Sequence, residues 1–235
     1  MFRTTKFAMV LFAFLAANAA MPSESSAREN SLKKGKWALQ FEIDRDFDLS
    51  GYQGNTLSIK THTADNRAYR LGFTVFFDIG DSESFSILND TIIYPRESNF
   101  NSKRIDINLQ KVFYASTDAA VNLFYGLGTA FSLQHSTSER ESFNRPRTII
   151  QTYNSTNNAW AAGLTGILGA EWFFAENMSL LGEYTTFLNY NESIVKSEFI
   201  TTENGIITNK GYDERKGNSF RLSSSSVKFG LSVYF

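Results

Sequence analysis

The chain is 235 residues long and nearly neutral, with 23 Lys+Arg against 24 Asp+Glu, which argues against a strongly basic nucleic-acid binder. It holds no cysteine and only two histidines, His62 and His135, so disulfide frameworks, thiolate metal sites and thiol nucleophiles are excluded. An aromatic share of 15%, with 22 Phe and 10 Tyr, is foreign to a disordered chain.

The N-terminus reads as an export signal. Arg3 and Lys6 precede an uncharged run from Phe7 to Ala17, and Ala17-Asn18-Ala19 offers small residues where a signal peptidase reads them. Cleavage is expected after Ala19, giving a signal peptide at 1–19, a short tail at 20–33 and one domain at 34–235. Export without cysteine suits a bacterial envelope protein.

From Trp37 the period is two, the mark of strands with unlike faces. Trp37, Leu39, Phe41 and Ile43 lie opposite Lys36, Gln40, Glu42 and Asp44. The same alternation returns around Leu57–Thr61, Tyr69–Phe77, Ile105–Phe113, Val121–Leu133, Trp160–Trp172, Leu180–Tyr190 and Val227–Phe235, which makes eight strands. Short links fall at Ala64–Arg67, Ala115–Ala120 and Ala175–Asn177. Long ones, expected as loops, span Ile79–Ser102, Ser136–Asn158 and Asn191–Ser219. Alternating short and long connections are the pattern of an outer-membrane barrel, with short periplasmic turns and long extracellular loops.

Period two leaves open which face points outward, and a soluble lipocalin-like carrier alternates in the same way. Three features favour the membrane. The apolar face is too bulky to fit inside eight strands with room for a ligand, and the other face is rich in small residues such as Gly72, Gly126 and Gly169. Aromatic residues gather near the strand ends, as in interfacial girdles. The last strand alternates strictly through Phe229, Leu231, Val233 and a terminal Phe235.

With that ending, the chain resembles the small eight-stranded outer-membrane protein family, of the OmpA transmembrane domain and OmpX type. The resemblance implies an all-β, eight-stranded antiparallel up-and-down transmembrane barrel in a bacterial outer membrane. It also implies recognition of the terminal strand by the barrel-assembly machinery, contact with outer-membrane lipid and lipopolysaccharide, and no cofactor.

The face assigned to the lumen carries Glu42, Lys60, Arg70, Arg104, Asp106, Glu171, Glu183 and Lys228, besides Lys36 and Asp44. Signs balance there, so a paired network is expected, because desolvated charges must be paired and hydrogen-bonded. A static plug and an ion-pair gate are both open at this stage; a wide channel is not expected. His135-Ser136, beside Glu139 and Glu141, raises a lipid A- or phospholipid-modifying enzyme as the alternative to a non-enzymatic protein, since His, Ser and carboxylate are the minimal set for acyl chemistry.

The functional expectation falls on the loops. In the last one, Phe199 and Ile200 are joined to Ile206 and Ile207 through Asn204-Gly205, a strong hairpin signal. The expected role is structural, adhesive or partner-binding, toward an extracellular protein ligand and not a nucleic acid.

Overall fold

The structure is a computed structural model that describes residues 30–43, 56–88, 92–143, 149–224 and 227–235. The signal-peptide expectation and Asp44 lie outside these residues. Nine strand segments form one antiparallel sheet: β1 (Trp37–Ile43), β2 (Thr56–Ala64), β3 (Arg67–Leu88), β4 (Ile92–Tyr114), β5 (Val121–Phe143), β6 (Ile149–Ala175), β7 (Met178–Glu203), β8 (Ile206–Ser224) and β9 (Lys228–Tyr234). Neighbours in sequence pair from β1 to β7, and β9 closes the ring by pairing with both β7 and β1. β8 lies on the same edge of β7 as β9, farther along it. The two are one barrel position interrupted near Val227, so the wall has eight positions.

The alternating pattern decides the faces, and the lipocalin-like reading is overturned. Leu127, Leu164 and Leu168 are 71%, 60% and 62% exposed on the outside, whereas Lys60 and Glu171 are 1% and 0% exposed within. A soluble barrel would hide the leucines and wet the charges. A contiguous outward belt of Leu, Ile, Phe, Tyr and Trp on every wall position is what a bilayer covers. Aromatic rings mark its lower edge, with Trp37 stacked on Phe235 at 4.4 Å and Phe113 on Tyr125 at 5.5 Å. Lys111, the one outward lysine in this zone, lays its Nζ 5.3 Å from the Phe113 ring and 5.9 Å from Tyr69, close to the interface to which its stem can reach.

The described residues of the three long connections are not loops but, apart from the Asn204-Gly205 turn, continuations of the strands. β4 pairs with β5 from Tyr114↔Phe124 up to Arg96↔Ser142, and β7 with β8 up to Glu203↔Ile206. A bilayer needs 9–11 tilted residues per strand. The 22–27 residues of β3 to β7 therefore rise about 55–70 Å at ordinary strand rise and tilt, well past the membrane. The turn tip is Asn204-Gly205, at φ 50° and 80°, the left-handed pair of a tight hairpin that glycine adopts without a Cβ penalty.

The segment before β1 closes the lower end. Leu32 is buried in one cluster with Ala38, Ala68, Val112, Tyr114, Phe124, Ile167, Phe173 and Tyr234. It is held there by Asn30, whose Nδ2 donates to the Thr117 carbonyl, and by Ser31, whose Oγ donates to the Glu176 carbonyl at 2.7 Å. Part of the tail expected at 20–33 thus folds under the barrel as its floor.

Candidate functional site

Above that floor the lumen is filled by two charge clusters. In the lower one, Glu171 of β6 is the shared acceptor. Lys60 of β2 donates to its two oxygens at 2.9 and 3.2 Å across the barrel, Tyr114 at 2.6 Å and Tyr234 at 2.8 Å, with Ser179 completing the set. The lysine also donates to the Tyr114 hydroxyl at 2.7 Å and lies 4.8 Å from the Tyr234 ring centre. Every partner of these two buried ions is polar or aromatic, which is what makes their burial tolerable.

In the upper cluster Arg70 of β3 bridges two carboxylates. Its guanidinium reaches Glu42 at 3.2 Å and Glu183 at 2.7 Å, while Nε donates to Gln110 at 2.8 Å. Ser58 donates to Glu42 at 3.3 Å and Thr185 to Glu183 at 3.1 Å. The planar fork of arginine suits this, because it serves several acceptors at once. Lys228 donates to Thr56 at 3.3 Å and stands opposite Glu183 in the ladder.

The structure brings together Glu42, Arg70 and Glu183, and separately Lys60 and Glu171. Arg104 and Asp106 share the inner face but stand higher and pair with each other at 3.1 Å, 43% and 28% exposed. They belong to the mouth, not to the plug. Lys36 is exposed below the wall, one residue before β1, and is not a lumen residue. Ring packing occupies further space: a Cβ at Gly169 would strike Phe124, so the glycine lets that ring lie across the inner face. Tyr114, Tyr234 and Ser179 were absent from the sequence-derived network, although Tyr234 falls on the correct face by alternation.

His135 and Ser136 do not form a dyad. They are consecutive on β5, so their side chains leave opposite faces: His135 outward and exposed, Ser136 toward the interior. His135 Nδ1 instead bonds Asn158 Oδ1 at 2.7 Å. Among the described residues no group of three or more His, Asp or Glu stands together as a metal site would need.

Above the membrane the wall formed by the described residues is incomplete. β3 beyond Thr74 pairs only with β4, and β8 pairs only with β7, so among the described residues each has a free edge. Phe199, Ile200, Ile206 and Ile207 lie at the top of this sheet around the Asn204-Gly205 turn. Its outer surface is laced with ion pairs, Lys210–Glu198 at 2.7 Å and Lys196–Glu214 at 3.8 Å. Tyr212 donates to Glu214 at 3.1 Å, a hydrogen bond that holds this carboxyl below its usual range.

No protein-family model matches the chain, nor does any curated protein. Among solved structures it is similar to the outer membrane protein OprG from Pseudomonas aeruginosa, at 13% identity and TM-score 0.46 over 86% of this chain and 97% of that one. It is also similar to a major outer membrane protein from Thermus thermophilus, at 13% identity and TM-score 0.37 over 85% and 99%. A third is Ail, the attachment invasion locus protein of Yersinia pestis, at 11% identity and TM-score 0.34 over 86% and 99%. The strand pairing itself gives the fold: a closed antiparallel barrel of eight wall positions, apolar outside and polar within.

Proposed function

We propose that this chain is a non-enzymatic outer-membrane surface protein that binds another polypeptide through the free edges of its extracellular sheet and conducts narrowly or not at all. The observation that carries this is the pair of edges on β3 and β8 that are unpaired among the described residues. Each offers a row of backbone donors and acceptors that an extended segment can join by strand addition. The filled lumen supports the second half, since two buried ion clusters and a packed floor leave no wide conduit. In this reading the protein is exported by residues 1–19, and Phe229, Leu231, Val233 and Phe235 serve the assembly machinery as its recognition strand.

The test is to replace residues 195–215 by Asn-Gly, which joins Ile194 to Lys216 where they already face each other. Bacteria displaying the full chain should clump and adhere to cultured-cell monolayers, and the shortened chain, still inserted and keeping the β3 edge and residues 216–224 of β8, should do both more weakly. Equal adhesion by both would remove the β8 edge above Lys216 as a binding element.

A further inference from the structure

A groove of about 380 Å³ lies on the outer surface across β4 to β7, near the top of the apolar belt. Ile105, Leu133 and Trp160 form its lower row, side by side in the ladder. Directly above them stand Lys103, His135 and Asn158. Trp160 packs on Tyr190 at 5.6 Å, and Tyr190 on Phe220 at 5.2 Å, an aromatic run of the kind that sits at headgroup level.

The height agrees. Lys103 lies ten residues along its strand from Phe113, and His135 ten from Tyr125, the rings that mark the lower edge. At strand rise and barrel tilt ten residues climb about 26 Å, against an apolar band about 25 Å tall. Both side chains therefore stand where the hydrocarbon ends.

Lys103 is also set apart by its charge environment. Elsewhere on the same face Lys196, Lys210 and Lys216 each meet a glutamate. Among the described residues Lys103 has no such ion pair. His135 Nδ1 bonds Asn158 Oδ1 at 2.7 Å, which leaves Nε2 as the nitrogen that donates to a phosphate oxygen when the ring carries both protons. Glu192 bounds the groove from β7, two strands or about 10 Å from His135, and confines the anion-binding end to β4 and β5.

We propose that this groove is a binding site for a phosphorylated, acylated glucosamine lipid of the lipid A type. Its phosphate lies against Lys103 and His135, and an acyl chain runs down over Ile105 and Leu133 beside Trp160. The inference rests on the outer-membrane reading above and adds to it a defined lipid and place.

The full chain, folded in detergent micelles, is incubated with lipid A or with dephosphorylated lipid A, and retained lipid is read by native mass spectrometry. Charge-assisted contacts of this kind predict about a tenfold preference for the phosphorylated form. Lys103→Gln should bring the preference close to one and His135→Gln should reduce it, with heat-dependent gel mobility showing that both variants fold. Lys111→Gln, at the opposite edge of the belt, should leave it unchanged. Equal retention of both lipids, or an unaltered preference in Lys103→Gln, overturns the site. Displacement of the lipid by inorganic phosphate alone overturns the lipid assignment in favour of a generic anion site. Failure of the membrane reading would show separately, as labelling of a Leu127→Cys variant on intact cells by a membrane-impermeant maleimide.

Discussion

The lower barrel and the sheet above it are one continuous antiparallel ladder, yet they are stabilised in opposite ways. Below, the outer face is apolar, and the inner face holds desolvated ions whose every partner matters. Above, water reaches both faces; ion pairs lie on the surface and the edges are free. The same backbone pairing is thus a closed, filled body in one half and an open, solvated one in the other. A charge is expensive to disturb in the first and nearly free to remove in the second.

The largest effect that separates the halves is expected at Glu171. Glu171→Leu strands the Lys60 ammonium and two tyrosine hydroxyls in the lumen and should cost about 3–5 kcal/mol, read from denaturant unfolding in detergent. The double variant Lys60→Met/Glu171→Leu should recover most of that loss. If the double variant is as unstable as the single one, the pair is not the unit that matters.

Next comes Leu32, outside any strand but inside the floor. Leu32→Ala should cost about 2–5 kcal/mol, as in other buried positions. A change near zero would mean that the tail does not pack in solution. The smallest effect belongs to the upper sheet. Lys210→Ala removes the 2.7 Å pair with Glu198 and should shift stability by about 0–1 kcal/mol, leaving the unfolding midpoint of the barrel in place. A large shift would couple the two halves and break the contrast.

The lower barrel was legible in the sequence because a bilayer outside and a polar plug inside give the two faces the greatest chemical contrast. Residue parity placed Glu42, Arg70, Glu171, Glu183 and Lys228 inward. It did not give partners: Lys60 meets Glu171 across the lumen, and parity carries no information about height or opposite walls. The upper strands read as loops in the sequence for the converse reason. At Ser136–Asn158 both faces meet water, so the apolar–polar contrast fades while the hydrogen-bond ladder continues. Leu32 had no signal, since it lies before the period begins and is buried only by the chain's return beneath the barrel.

The absence of cysteine permits a direct test of the central claim, that the apolar belt faces a bilayer with the tall sheet outside the cell. Single cysteines at Thr208, Leu127 and Asp118 would be exposed on intact cells to a membrane-impermeant maleimide. The account predicts that Thr208→Cys labels at once, that Asp118→Cys labels only after the outer membrane is opened, and that Leu127→Cys labels in neither case. Free labelling of Leu127→Cys by the aqueous reagent would contradict it, because that side chain would then face water and not lipid.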